Sequence, residues 1–219
     1  VEGEGERAFR KLLHDICALD GSDDRPGKRC AVYRDESLIP DLDELPSPFS
    51  EEMLGALGDR IVYFESSRGC PFSCSHCLSS TFSGVRFFSM DRVRRELSRL
   101  IDRGTGQVKF VDRTFNCNKN RAMEIFEFII RSGGNTRFHF EAAADLFDDE
   151  MIDLLSHAPS GMIQFEIGIQ TTCRKALSAV DRRTDLDKAF RNIRKLRELE
   201  NIHLHLDLIA GLPYEDYAA

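Results

Sequence analysis

Short β-type runs alternate with longer helical runs from residue 59 to the end of the chain. Hydrophobic, β-branched segments predict strands, and segments with apolar residues at helical spacing predict helices. The strands are expected at 61–65, 107–112, 137–143, 162–168 and 203–209, and the helices at 89–103, 119–132, 148–157, 173–180 and 185–200. Strand, helix and strand in succession require parallel strands joined by right-handed crossovers. The alternation therefore predicts an α/β fold built on a parallel sheet.

Polar residues occupy every second position in three of the expected strands. These positions are Gln164, Glu166, Gly168 and Gln170 in one strand, His203, His205 and Asp207 in another, and His139 and Glu141 in a third. Because neighbouring side chains point to opposite faces of a strand, each strand has one apolar and one polar face. A partial barrel with a solvated lumen explains this pattern, whereas a packed lumen does not. An antiparallel sheet with one wet face is the alternative, and the intervening helices argue against it.

Three of the seven cysteines lie within eight residues, directly after the first expected strand: Cys70, Cys74 and Cys77. Thiols on one short loop converge on one point, as metal ligands must, whereas disulfide frameworks spread paired cysteines through a secreted chain. A structural zinc site needs a fourth ligand, and the nearby candidate, His76, is adjacent to Cys77. The spacing therefore indicates an iron–sulfur cluster with one iron open to a non-protein ligand. A zinc-binding structural or interaction domain is the alternative.

The motif Cys70-x-x-x-Cys74-x-x-Cys77 resembles the signature of the radical S-adenosylmethionine (SAM) enzymes. In that superfamily the three thiolates hold a 4Fe–4S cluster whose open iron binds the amino and carboxylate groups of SAM. The residue before the last cysteine, here His76, packs against the adenine. The resemblance implies a partial (β/α)6 TIM-like barrel of parallel strands, truncated to about five strands, with an N-terminal helical and linker extension. It also implies reductive cleavage of SAM to a 5′-deoxyadenosyl radical that abstracts hydrogen from substrate.

The ends of the later strands resemble the SAM-binding segments of coproporphyrinogen-oxidase-like, methylthiotransferase-like and cobalamin-dependent members of this superfamily. The resemblance implies that Glu141, Gln170 and Asp207 contact the amino acid and ribose parts of SAM. It further implies that Arg182 reaches the SAM carboxylate, with Arg183 as the alternative. Carboxylate and amide oxygens accept hydrogen bonds from ribose hydroxyls, and a guanidinium fork matches a carboxylate.

Two further residues are candidates for the cofactor site by the same resemblance. Gly211 belongs to the segment 207–213 that resembles the end of the fifth strand in these relatives. The Gly-rich element of the superfamily after the second strand is not matched, and residues 112–116 stand in its place. Asp112 is the candidate ligand for the SAM ammonium in that segment.

The N-terminal part of the chain resembles a different region of the same proteins. The segment GEGE-x-x-F-x-x-L, residues 3–12, resembles the end of the cobalamin-binding domain that precedes the barrel in one subgroup. The expected organisation is the tail of an upstream cobalamin-binding-like domain at 1–19, a proline-spaced linker at 20–58 and a C-terminally incomplete radical SAM core at 59–219. The Asp-x-His-x-x-Gly cobalamin motif does not occur, so cobalamin would be held by an upstream domain.

The resemblance to this subgroup implies that the intact protein transfers a methyl group to an unreactive carbon. The chain alone is expected to be inactive. A cobalamin-independent methylthiotransferase-like or oxidase-like enzyme is the alternative within the class.

A formal charge of −7 argues against nucleic acid as a partner, and no apolar run is long enough to span a membrane. Unpaired cysteines fit a reducing, oxygen-poor cytoplasm. The expected partners are a small-molecule or peptide substrate and an electron donor such as flavodoxin or ferredoxin.

Overall fold

The computed structural model describes residues 2–18, 32–35, 37–81 and 84–215. The chain divides into two compact units, Val1–Leu42 and Asp43–Ala219. The first unit contains strand β1 (Glu2–Gly3), helix α1 (Glu6–Ala18) and strand β2 (Arg34–Asp35), and its two strands pair in parallel. The predicted N-terminal helix is present. Residues 20–31 of the predicted linker lie outside the described part of the chain.

The second unit begins earlier than the sequence predicts. Residues 43–58, expected as linker, include helix α2 (Glu51–Ala56), which Ser50 caps by accepting a hydrogen bond from Met53 N at 3.1 Å. Phe49 is buried, and its ring stacks on that of Phe64 with the centroids 6.0 Å apart. These buried apolar groups attach the segment to the second unit despite its proline spacing.

The rest of the second unit alternates strands and helices. The strands are β3 (Val62–Phe64), β4 (Ser67–Cys70), β5 (Gly84–Phe87), β6 (Gln107–Phe110), β7 (Arg137–Glu141), β8 (Ile163–Gln170) and β9 (His203–Leu208). The helices are α3 (Met90–Asp102), α4 (Lys119–Ser132), α5 (Asp149–Ser156), α6 (Arg174–Ala179) and α7 (Leu186–Glu198). Among the described residues, no helix is both long and apolar enough to cross a bilayer.

Five of these strands form an open sheet in the order β3-β6-β7-β8-β9, and every neighbouring pair is parallel. The predicted partial α/β barrel is thereby confirmed, and the antiparallel alternative is wrong. Each predicted strand and helix has a counterpart in the structure.

The two faces of the sheet differ as the sequence predicts. Along β8 the odd-numbered residues are buried and the even-numbered residues are partly exposed. The buried face packs phenylalanine rings, and the Phe140 ring lies 4.5 Å from that of Phe110 and 5.9 Å from that of Phe165. Several residues depart from the pattern. His139 on the polar face is buried, and Leu206 and Leu208 in the edge strand β9 are 44% and 72% exposed.

A separate antiparallel hairpin of β4 and β5 carries the cysteine loop, and the sequence did not predict it. Cys70 ends β4, and Cys74 and Cys77 follow in the loop. The strands approach closely at Gly69, whose φ is 105°, since a Cβ there would lie 2.2 Å from the Gly84 carbonyl oxygen. Glycine at position 69 therefore permits the pairing that orients Cys70.

Candidate functional site

A cavity of about 450 Å³ lies where the carboxyl ends of the parallel strands meet the cysteine loop. Parallel α/β sheets bind ligands at this edge because the loops after each strand converge there. Eight of the residues proposed from the sequence line it: Cys70, Cys74, His76, Cys77, Glu141, Gln170, Arg182 and Asp207. The fold thus brings together side chains separated by more than a hundred positions in the chain.

The cysteine loop is held against the barrel at several points. The Cys70 thiol lies 3.4 Å from Thr114 Oγ1. Farther along the loop, Ser73 Oγ donates to an Asp181 carboxylate oxygen at 2.6 Å, and Ser75 N donates to the Val180 carbonyl at 2.9 Å. All three thiols face one cavity, although in the described ranges no three His, Cys, Asp or Glu side chains are grouped closely enough to hold a single metal ion.

Arg182 joins the cysteine loop to the end of β8. Its Nη2 donates to the Gly168 carbonyl, and its Nη1 lies 3.8 Å from the Cys74 thiol. Its Nε is buried without a hydrogen-bond partner among the described residues. Arg183 is exposed and lies 3.8 Å from an Asp181 carboxylate oxygen. Of these two arginines, Arg182 lines the cavity and Arg183 does not.

The end of β8 is irregular, and the irregularity places Gln170 over Gly168. The pairing register of β8 with β9 shifts between these two residues, and Gln170 has a φ of 69°. A Cβ at position 168 would lie 2.1 Å from Gln170 Nε2. The missing side chain at Gly168 therefore makes room for the Gln170 amide at the cavity wall.

Two neighbouring carboxyl groups, Glu141 and Glu166, line the cavity wall. Glu166 Oε2 lies 3.1 Å from His139 Nε2 and 3.4 Å from Lys109 Nζ. Burial raises the pKa of Glu141, the like charge of Glu166 adds to that rise, and Arg113 opposes it. Burial lowers the pKa of His139, Lys109 adds to that fall, and Glu166 opposes it.

Glu166, Arg113 and Thr114 are cavity residues that the site prediction missed. The alternation along β8 placed Glu166 on the polar face, which was the signal available for it. Arg113 and Thr114 follow β6 directly, but only the folded chain shows that they turn towards the cysteine loop.

Asp112 and Gly211, proposed from the sequence for the cofactor site, are not among the residues that line this cavity. Asp112 is 1% exposed and is not part of the cavity lining. Its carboxylate instead accepts hydrogen bonds from Ser66 N at 3.0 Å, Ser66 Oγ at 2.7 Å and the Ser67 hydroxyl. Gly211 lies in the turn after β9 with a φ of 85° and is also outside the lining.

Comparison with known proteins gives consistent matches. The family model for the Radical SAM superfamily matches residues 64–219. The cobalamin-dependent radical SAM methyltransferase TokK of Streptomyces tokunonensis is 28% identical over 98% of this chain, which spans 35% of TokK. The 2-(S-pantetheinyl)-carbapenam-3-carboxylate methyltransferase of Streptantibioticus cattleyicolor is 27% identical with the same coverage of both chains. The chain thus spans about a third of the length of these curated relatives.

The fold also matches a solved structure. The radical SAM methyltransferase TsrM from Kitasatospora setae, solved with tryptophan substrate and a SAM analogue, superposes with a TM-score of 0.69 at 19% identity. The superposition covers 98% of this chain and 46% of TsrM. At this level of identity the match concerns the fold.

Proposed function

Since the chain belongs to the radical SAM superfamily, we propose that it is the SAM-cleaving core of a cobalamin-dependent methyltransferase that methylates an unreactive carbon of a small molecule. The observation that carries this proposal is one cavity lined both by the three thiols of the motif and by the polar ends of three strands. The family supplies the reaction class, and the curated methyltransferase relatives support the net reaction.

The residues of the cavity fit a 4Fe–4S cluster with SAM. Cys70, Cys74 and Cys77 provide three soft thiolate ligands on one loop, which suits iron. Arg182, whose Nη1 lies 3.8 Å from the Cys74 thiol, would donate a hydrogen bond to a carboxylate bound there. When bound, the cluster supplies the electron that cleaves the sulfonium bond of SAM.

The side chains of the cavity would bind SAM and orient it for this cleavage. Glu141 would accept hydrogen bonds from the SAM ammonium, and Gln170 and Asp207 from the ribose hydroxyls. His76 would pack against the adenine. Arg182 would hold the carboxylate, so that both ends of the amino acid part are fixed relative to the cysteine loop. Fixing the reactant in this way is the principal contribution of the protein.

Cobalamin would be held by an upstream domain of the intact protein, of which residues 1–19 would form the tail. We further propose an electron donor such as flavodoxin or ferredoxin, and an oxygen-poor cytoplasm as the location. The three thiols of the motif support these assignments, since an accessible reduced cluster would require a reducing compartment.

The test is anaerobic reconstitution of the intact protein with iron and sulfide, followed by measurement of iron content and of 5′-deoxyadenosine formed from SAM. The wild type should bind about four irons per chain and form 5′-deoxyadenosine with dithionite. Cys74→Ala should abolish both, whereas Cys17→Ala, an exposed thiol in α1, should leave both unchanged. A colourless protein that binds one zinc tightly would contradict the proposal. Methylation that proceeds without cobalamin would favour the cobalamin-independent alternative.

A further inference from the structure

The cysteine hairpin is anchored at its root by a buried carboxylate. Asp112, just after β6, accepts three hydrogen bonds from Ser66 and Ser67, where β4 begins. Since buried polar groups are costly unless they are satisfied, Asp112 and these donors depend on each other. The carboxylate therefore ties the start of β4 to the loop after β6.

Arg121 of α4 contacts β5 and the residue that precedes β4. Its Nη2 donates to the Ser66 carbonyl at 3.0 Å, and its guanidinium carbon lies 5.1 Å from the centre of the Phe87 ring in β5. The same Ser66 carbonyl accepts a hydrogen bond from Phe88 N at 3.1 Å. This bond joins the residue before β4 to the residue after β5. One side chain on a barrel helix thus fixes the spacing of the two strands.

These contacts matter because the hairpin is not part of the main sheet. β4 and β5 form their own two-stranded sheet, and isolated two-stranded hairpins are at best marginally stable. Cys70 lies three residues after Ser67, or about 10 Å along an extended strand. Movement of the root is therefore transmitted directly to the first thiol of the motif.

We propose that Asp112 and Arg121 are positioning residues that set the β4–β5 hairpin, and with it the Cys70 thiol, in the geometry needed for the cluster. The inference rests on the proposed function, because it concerns how firmly the thiols hold iron. It assigns Asp112 a role in cluster retention in place of a contact with SAM.

The test compares Asp112→Asn and Arg121→Lys with wild type in the intact, anaerobically reconstituted protein. Asp112→Asn keeps the side-chain shape but replaces one acceptor oxygen with a donor, and Arg121→Lys keeps the positive charge but loses the planar guanidinium. Iron release to a chelator should be roughly tenfold faster in Asp112→Asn, with a smaller change in Arg121→Lys. Amide hydrogen exchange at residues 66–70 and 84–87 of the cluster-free protein should accelerate in the same order.

Asn201→Ala is the matched control. Asn201 donates to the carbonyls of Leu155 and Ala158 at the amino edge of the sheet, away from the hairpin. Its loss should lower the melting temperature without changing iron release or exchange in the hairpin. Equal hairpin exchange in Asp112→Asn and wild type would overturn the positioning role. Failure of the wild type to take up any cluster would instead contradict the proposed function.

Discussion

At the scale of single residues, Arg182 is the side chain whose role is most sharply defined. It contacts Gly168 and lies beside Cys74, and it has a buried donor without a partner in the described part of the chain. Arg182→Gln should weaken SAM binding to the reconstituted protein by about 10- to 100-fold, because a charged hydrogen bond to a carboxylate is lost. Equilibrium dialysis with labelled SAM measures this affinity. Arg183→Gln is the neighbouring control, and an equal loss in both variants would contradict the assignment.

We expect His139 to make the stability of the fold depend on pH. Burial lowers its pKa, so the unfolded chain binds the proton more readily than the folded chain. Its contribution is therefore present above the ordinary histidine pKa of about 6.5 and is lost as the pH falls below that value. His139→Gln should reduce the slope of unfolding free energy against pH between about pH 5 and 7. Urea denaturation at several pH values measures that slope, and parallel curves for the two proteins would show that His139 does not cause it.

Sequence reasoning identified the polar strand ends but not the direction in which every side chain turns. Asp112 follows a strand just as a ligand residue would, and only the folded chain shows it turned towards Ser66 and Ser67. The close approach of Gln170 to Gly168 depends on a register shift that no single-residue preference reveals. By contrast, the cysteines and Arg182 could be placed because their spacing resembles a known motif.

At the scale of elements, Asn116 joins the loops that follow β6 and β7. It is 2% exposed, and its side chain donates to the Ala143 carbonyl at 2.9 Å and accepts from Ala143 N at 3.0 Å. Asn116→Ala leaves both backbone groups without that partner and should lower the free energy of unfolding by about 2 kcal/mol. Denaturant unfolding measures this free energy. Asn118→Ala, which removes only the N-terminal cap of α4, should lower the free energy of unfolding by about 1 kcal/mol. A larger decrease in Asn118→Ala than in Asn116→Ala would contradict this prediction.

The strands and helices of the barrel could be predicted, including β3 with only three residues, whereas the hairpin strands and α2 could not. Helical spacing over eight or more residues, and alternation over five or more, give a clear signal, as in α3 and β8. The hairpin strands are four residues each, contain Gly, Cys and Arg, and are formed through contacts with Asp112 and Arg121. Their structure is decided by tertiary contacts that local sequence does not encode.

At the scale of the whole second unit, stability comes from the aromatic face of the sheet. The Phe140 ring is fully buried and lies 4.4 Å from that of Phe115 and 5.3 Å from that of Phe126. Phe140→Ala should lower the free energy of unfolding by about 3–5 kcal/mol, because it removes apolar contact and leaves a cavity. Calorimetry or denaturant unfolding measures the change. Tyr63→Ala, at a side chain 63% exposed, should change stability by less than about 0.5 kcal/mol; similar losses would contradict this account of the core.

The alternation along β8 gives the two faces of this strand different roles. Its odd positions are buried in the core, while the even positions Glu166, Gly168 and Gln170 line the cavity. Substitutions at these three positions would therefore alter the wall of the lumen, while the packing of the odd positions beneath the cysteine loop would persist.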